Sequence, residues 1–285
     1  MRPDDWYLTQ DLDAFLERAG EFLRSRPALH TVPLTVVDSL RRRGPHIYGP
    51  EAPLFGTLDT AGEVRGVFFR TPPHRLNLTS LTEEEAEALA ERLAADGHRL
   101  PGVAADRDTA ALFAAAWQRR AGVESRQTER QRLYRLGELT SPGPVPAGRA
   151  RIAVAADRDL LIRWHDAFMD DTGAHNGQDA GAWADSRIAY GGITLWETPD
   201  GTPVAMSGAT PQVAGQVRVA PVYTPPALRG RGYAGAATVE VSRAAQDSGA
   251  AEVLLFTDLA NPTSNGLYQR IGYRPVTDFA VYEFG

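Results

Sequence analysis

The chain of 285 residues contains no cysteine and no lysine, and each absence excludes a class of chemistry. Without cysteine there is no disulfide, no thiolate nucleophile and no cysteine-ligated zinc site. Without lysine there is no Schiff-base nucleophile. All 30 basic side chains other than histidine are therefore arginines.

Long apolar runs are also missing, since no segment approaches the roughly 18 apolar residues that a membrane helix needs. The first residues carry the acids Asp4 and Asp5 and no apolar segment typical of a secretion signal. We therefore expect a cytoplasmic protein that does not interact with membranes.

The chain has no excess of positive charge, because 36 acids outnumber 30 arginines. The net charge of −6 provides no general attraction to nucleic acid. The two halves differ. Residues 1–150 hold 20 arginines and 21 acids, whereas residues 151–285 hold 10 arginines and 15 acids. The acidic second half favours a cationic or amine substrate.

A domain boundary is indicated between residues 140 and 150. Three prolines and two glycines fall within Thr140–Gly148, and such a segment can continue neither a helix nor a central strand. The sequence thus predicts an N-terminal domain at 1–139, a Pro/Gly linker at 140–150 and a C-terminal domain at 151–285.

Apolar spacing predicts a mixed α+β protein in both halves. Thr82, with Glu85 three residues later, predicts a capping box at the start of one helix, and Gly122 is expected to end the next helix. In the first half we expect helices at 11–25, 82–96 and 108–120, a hairpin at 54–58 and 64–69, and strands at 100–104 and 132–136. In the second half we expect helices at 159–169, 180–189, 232–247 and 262–271, and strands at 152–155, 193–197, 203–210, 216–223, 252–257 and 279–284.

The segment from Val222 to Ala237 carries the clearest chemical signal. A strand ends at two prolines, and a loop of arginine and glycine opens directly into an alanine-rich helix. The first turn of a helix leaves N–H groups unpaired at the positive end of the macrodipole, and Gly230 and Gly232 would let an anion approach the backbone. With Arg229 and Arg231 the loop predicts a diphosphate site. The alternative is a surface turn that merely caps a helix.

Two motifs resemble signatures of the GNAT superfamily of acetyltransferases. Arg229-x-x-Gly232-x-Ala234 is similar to the acyl-CoA signature [Q/R]-x-x-G-x-[G/A], and Thr224-Pro225-Pro226 resembles its V-x-P lead-in. Asn261 to Tyr273 resembles N-x-x-[A/S]-x-x-L-Y-x-x-x-G-[F/Y]. The motifs occur in the family's order, with a strand at 253–256 between them.

The resemblance implies direct transfer of an acetyl group from acetyl-CoA to an amine in a ternary complex. It also implies that the family's fourth and fifth strands splay apart around the pantetheine arm. Tyr268 matches the tyrosine that protonates the departing thiolate, although it could instead be a packing residue. The implied cofactor contacts are Val222, Thr224 and Asn261 for pantetheine, and Arg229, Gly230, Arg231, Gly232, Tyr233 and Ala234 for the diphosphate.

The general base is not evident from the motifs. The family often has a carboxylate on the fourth strand, but residues 216–223 contain none. Glu197, at the end of a strand, is our candidate base, with Asp170, Asp171 and His175 as alternatives. No metal site is expected, because no His, Asp and Glu residues have ligand spacing in convincing surroundings.

The order of elements in residues 1–139 resembles a second GNAT-like fold. Its corresponding loop, residues 70–82, contains no glycine, so side chains would obstruct a phosphate. The expected fold is therefore α+β with two GNAT-like domains, each a mixed, mostly antiparallel sheet flanked by helices. We expect the first domain to be a degenerate copy that does not bind CoA and walls the acceptor site; the alternative is an unrelated α/β domain.

Several functional alternatives stay open at this point. The chain could acylate a hydroxyl, use a longer acyl-CoA, or be an inactive CoA-binding or sensing module. The expected partners are a small-molecule or peptide amine and a second copy of the chain in a homodimer. Nucleic acid is not expected, because the chain is acidic and lacks a basic face.

Overall fold

The computed structural model describes residues 5–173 and 179–285, which form two compact units. Unit 1 is built from the described residues up to Leu133, together with Asp258–Ala260 and Thr277–Gly285. Unit 2 contains the described residues of Tyr134–Thr257 and Asn261–Val276. The predicted linker at 140–150 lies within unit 2, and the predicted domain limits stay a prediction.

Strands and helices are interspersed along the chain. The strands are β1 (Trp6–Thr9), β2 (Leu54–Thr60), β3 (Glu63–Arg70), β4 (Leu76–Leu78), β5 (Gly102–Asp106), β6 (Ser125–Leu136), β7 (Arg149–Ile152), β8 (Ile193–Glu197), β9 (Pro203–Ala209), β10 (Gln216–Tyr223), β11 (Glu252–Asp258) and β12 (Tyr273–Phe284). The helices are α1 (Leu12–Ser25), α2 (Thr31–Arg43), α3 (Glu83–Ala95), α4 (Arg107–Ala121), α5 (Arg158–Thr172), α6 (Ala180–Ala189), α7 (Tyr233–Asp247) and α8 (Pro262–Ile271).

Unit 1 contains a sheet in the order β1-β2-β3-β4-β5-β12, in which β4 and β5 pair in parallel and the other neighbours are antiparallel. Its core is aromatic and aliphatic, with Trp6, Phe68, Leu89, Phe113 and Trp117 almost fully buried. The predicted hairpin is confirmed as β2 and β3, and the predicted capping box at the start of α3 is present.

Unit 2 contains a sheet in the order β7-β8-β9-β10-β11, antiparallel except for the pair β10–β11. One core cluster includes Trp164, Trp183 and Tyr223, and another includes Val239 and Ile271. The mixed α+β class with mostly antiparallel sheets and flanking helices, predicted from the sequence, is confirmed. Of the helices in the described part of the chain, none combines the length and apolar character needed to cross a bilayer.

The parallel pair β10–β11 is short compared with its two strands. The register joins Gln216–Arg218 to Glu252–Leu254, while β10 continues to Tyr223 and β11 to Asp258. On the other side of β10, its register with β9 shifts between Val219 and Val222. The pairing of β10 with β11 thus stops after three residues, as expected for strands that splay apart, and the shift against β9 marks a bulge or irregularity on the other side of β10.

Gly208 on β9 lies against this irregular part of β10. A Cβ at position 208 would stand 2.5 Å from the carbonyl oxygen of Ala220, which is a backbone atom and cannot rotate away. We expect Gly208→Ala to lower the free energy of unfolding by about 1–3 kcal/mol, as overpacking does elsewhere. Chemical denaturation measures it.

The matched control is Gly143→Ala, because a Cβ there would meet no described atom within 4 Å. The control should unfold like the native chain. Equal stability of the Gly208 variant and the control would contradict the packing described for β9 and β10.

Candidate active site

The loop between β10 and α7 depends on two glycines. After a short 3₁₀ turn at Pro226–Leu228, Arg229 is extended, and Gly230 and Gly232 take φ values of 76° and 84°. Residues with a Cβ rarely adopt this left-handed region, since it costs roughly 1–2 kcal/mol. A Cβ at Gly230 would meet no described atom within 4 Å, so the backbone conformation is what requires glycine there.

Helix α7 begins without a side-chain cap, because its first flanking residue is Gly232. On one side of this stretch, the N–H of Arg229 donates to the Pro226 carbonyl at 3.3 Å. On the other side, the N–H of Ala236 donates to the Gly232 carbonyl at 3.0 Å. Between them, the N–H groups of residues 230–235 find no acceptor among the described residues. These amides lie at the positive end of the α7 dipole and fit an anion.

The two arginines of the loop are held by protein groups. Arg229 Nε donates to the carbonyl of Thr224 at 2.9 Å, and its Nη2 forms an ion pair with Asp171 on α5. The guanidinium also lies over the ring of Tyr223, 5.9 Å from its centroid. Arg231 Nη2 donates to the Ala227 carbonyl at 3.2 Å. The loop is thus attached to the end of β10 and to α5.

The residues predicted to contact pantetheine lie on β10, just after it, and at the start of α8. Val222 pairs with Ser207 of β9, and the buried Thr224 hydroxyl has no hydrogen-bond partner within the described parts of the chain. Asn261 caps α8, since its Oδ1 accepts the N–H of Ser264 at 3.0 Å. Asn261 therefore also fixes the start of the helix that carries Tyr268.

Tyr268 is buried on α8 and packs against the ring of Tyr273, with ring centroids 6.0 Å apart. Tyr273 is anchored in turn by a 2.7 Å hydrogen bond between its hydroxyl and Ser242 Oγ. Burial raises the pKa of Tyr268 to about 12, so its hydroxyl stays protonated at neutral pH. A protonated hydroxyl suits a donor to a developing thiolate.

Glu197, the predicted general base, lies in a network of arginines at the end of β8. It is only 5% exposed and pairs with Arg151 and, at 3.5 Å, with Arg149. Arg151 also binds both carboxylate oxygens of Asp157, at 2.6 and 2.8 Å. The hydrogen bond from Arg151 holds the pKa of Glu197 below its ordinary value, which makes it a weaker base. This pairing argues against Glu197 as the base.

The other predicted candidates for the general base are Asp170, Asp171 and His175. Asp171 is the partner of Arg229, and Asp170 precedes it in the last turn of α5. His175 lies outside the described residues. None of the described candidates is placed on β10, where the family often has its carboxylate.

Sequence reasoning overlooked His165, which lies on the buried face of α5. It is 2% exposed, its ring is tilted against that of Trp183 with the centroids 4.4 Å apart, and its Nδ1 lies 3.6 Å from Asp166 Oδ1. Burial lowers its pKa, so the ring is neutral near pH 7. The available signal was its helical spacing with Leu161 and Phe168, which are apolar.

In unit 1, helix α3 begins with a side-chain cap, unlike α7. The hydroxyl of Thr82 accepts the N–H of Glu85 at 3.3 Å, and the carboxylate of Glu85 accepts the N–H of Thr82 at 2.7 Å. The first turn of α3 also carries Glu83 and Glu84. A diphosphate at this helix start would meet three carboxylates, which repel an anion, and that unit 1 does not bind CoA stays a prediction.

The pairing of Glu197 leads to a direct test of its role. We expect Glu197→Gln to lower the melting temperature, because it removes the charge opposite Arg151, and to leave acetyl-CoA affinity and turnover within about twofold of native. Thermal denaturation and release of free CoA thiol measure these quantities.

Glu240→Gln serves as the control, since Glu240 forms an i,i+3 pair with Arg243 on the surface of α7. Loss of a general base costs roughly 10²–10⁴-fold in rate. A decrease of that size in the Glu197 variant, with its stability unchanged, would restore Glu197 as the base.

Comparison with known proteins places this geometry in a family. Residues 158–273 match the family model described as Acetyltransferase (GNAT) family. This span contains the loop at 229–234 and ends at Tyr273. No curated protein matches the chain.

Solved structures are similar over nearly the whole chain. An acetyltransferase of the GNAT family from Colwellia psychrerythraea is 12% identical, with 98% of this chain and 99% of that chain covered and a TM-score of 0.62. A GCN5-related N-acetyltransferase from Sphaerobacter thermophilus is 16% identical, with 99% and 96% covered and a TM-score of 0.61. A tandem GNAT protein from the clavulanic acid biosynthesis pathway is 12% identical, with 98% of both chains covered and a TM-score of 0.57.

At these identities the structural likeness shows the fold alone. The tandem protein matches this chain across both compact units, which fits two GNAT-like domains. The family match covers the segment that holds the uncapped helix start and Tyr268. Residues 158–273 are therefore an acetyltransferase domain of the GNAT family, in a chain whose fold fits two GNAT-like domains.

Proposed function

We propose that the chain is an N-acetyltransferase that moves the acetyl group of acetyl-CoA to an amine by direct attack in a ternary complex. The observation that carries the proposal is the run of amides at residues 230–235, which have no acceptor in the described part of the chain and lie at the uncapped start of α7. GNAT acetyltransferase membership of residues 158–273 makes acyl transfer the expected chemistry.

Acetyl-CoA binding follows from the shape of this region. The N–H groups of Gly230, Arg231, Gly232, Tyr233 and Ala234 would hold the diphosphate, helped by the α7 dipole. The pantetheine arm would lie along β10 beyond its last residue paired with β11, where Val222 and Thr224 offer backbone groups. Asn261 would contact it from the other side.

The chemistry requires one bond to form and one to break. The neutral amine attacks the thioester carbonyl, a tetrahedral intermediate forms, and the C–S bond then breaks. Tyr268, which its raised pKa keeps protonated, donates a hydrogen bond to the departing sulfur and stabilises the thiolate, which then takes up the proton that the amine has released. No acyl-enzyme is involved, since the chain has no cysteine and no G-x-S-x-G elbow.

The amine must lose a proton to react. We propose that this proton passes, directly or through water, to one of the predicted candidates Asp170, Asp171, Glu197 and His175, of which Glu197 and Asp171 are paired with arginines. The acceptor is a small-molecule or peptide amine, favoured by the excess of five negative charges in residues 151–285. A homodimer and a cytoplasmic location stay predictions.

One specific observation favours a second candidate function. Strand β10 has no carboxylate, and Glu197 is neutralised by two arginines. The chain could therefore bind CoA without turning it over, as a sensing module. Transfer to a hydroxyl is the remaining alternative within acyl transfer.

Ligand binding is the first test of the proposal. Acetyl-CoA at 100 times its dissociation constant should stabilise the chain by about 2.7 kcal/mol, seen as a higher melting temperature. A panel of amines assayed for free thiol should then reveal an acceptor. The absence of any thermal shift at millimolar CoA would contradict the proposal.

Tyr268→Phe separates an enzyme from a sensing module. The variant keeps the buried ring but loses the proton donor, so we expect turnover to fall by about 10²–10⁴-fold while acetyl-CoA affinity stays within about twofold. Isothermal titration and initial rates measure the two effects.

Tyr282→Phe, a tyrosine of β12 in unit 1, is the matched control and should behave as native. Unchanged turnover in the Tyr268 variant would remove Tyr268 from the mechanism. A native chain that binds acetyl-CoA without thiol release from any amine would favour the sensing module.

A further inference from the structure

Arg229, the first residue of the cofactor loop, is fixed on two sides. Its Nε donates to the carbonyl of Thr224 at 2.9 Å, and its Nη2 is paired with Asp171 on α5. Its guanidinium plane lies near the ring of Tyr223, at 5.9 Å from the centroid. The family resemblance implies that Arg229 contacts the diphosphate, but two of its donor groups are already engaged by protein atoms.

These contacts connect the loop to α5. Asp171 lies in the last turn of α5, and Trp164, earlier on the same helix, packs against Tyr223 with ring centroids 6.0 Å apart. The end of β10 is therefore bound to α5 through an aromatic contact and through the chain Thr224–Arg229–Asp171. The amides of residues 230–235 follow directly after Arg229, so their placement depends on where Arg229 is held.

We propose that Asp171 is a positioning residue of the cofactor site: it holds Arg229 against the end of β10, and thereby aims the loop amides at the diphosphate. This inference rests on the proposed function, since it concerns the same acetyl-CoA site. Asp171 is then neither a base nor a ligand; it acts through Arg229, and the backbone amides with Arg231 supply the contacts to the anion.

The alternative, in which Arg229 itself binds the diphosphate, predicts a different effect of removing Asp171 on acetyl-CoA affinity. If Arg229 leaves Asp171 to bind the diphosphate, Asp171 is a competitor, and its removal strengthens binding. If Arg229 positions the loop, removal of either partner weakens binding, and removal of both is no worse than removal of one. Residues that act as one unit show this non-additivity in a double-mutant cycle.

The test is such a cycle with Asp171→Asn, Arg229→Gln and the double variant, measuring the dissociation constant of acetyl-CoA by isothermal titration. We expect each single variant to bind about 3- to 10-fold more weakly and the double variant to match the weaker single variant within about twofold. Asp171→Glu keeps the charge and should recover most of the affinity. Pantetheine, which lacks the diphosphate and the 3′-phosphate of CoA, should bind all variants with the same dissociation constant.

Asp159→Asn is the matched control, because it removes the same charge from an exposed position on α5, and it should bind as native. Melting temperatures verify that each variant is folded. Tighter or unchanged binding by Asp171→Asn, or additive losses in the double variant, would overturn the inference while leaving the proposed function intact. A native chain that does not bind acetyl-CoA would instead contradict the proposed function, and this inference with it.

Discussion

The proposed function depends on the backbone N–H groups at the start of α7, for which residues 5–173 and 179–285 provide no acceptor. A helix start without a side-chain cap normally finds water or a ligand, because each orphan amide costs free energy when it is left unpaired away from water. Here two glycines in the left-handed region keep residues 230–235 free of side-chain caps. The short pairing of β10 with β11 leaves the end of β10 beside this helix start.

Two of the carboxylates considered as catalytic bases form ion pairs with arginines. Glu197 is paired with Arg149 and Arg151, and Asp171 with Arg229, so neither is a free anion in the structure. In unit 1, the carboxylate of Glu85 satisfies the start of α3 from within the helix. The first turn of α3 thus has a side-chain cap from Thr82, whereas the first turn of α7 has no side-chain cap.

Local signals were sufficient to predict much of the fold. The capping box at Thr82, the glycine that ends α4 and the glycine loop before α7 each lie within a few residues of the feature they determine. Helix α2 was missed because Thr31–Arg43 is rich in β-branched residues and contains Pro33, and β4 because it has three residues. The partners of Glu197 and Arg229 could not be predicted, since they lie 46 and 58 residues away and meet only through the tertiary fold.

Hydrogen exchange at the amides of Gly230 to Gly235 tests the central claim most directly. In the free chain these N–H groups have no acceptor among the described residues, so they should exchange rapidly. Saturating CoA should slow their exchange by at least about tenfold, because each amide that donates to the diphosphate must open before it exchanges. The amides at the start of α3, already capped, should not respond. Rapid exchange at residues 230–235 in the presence of bound CoA, or protection before CoA is added, would contradict the account.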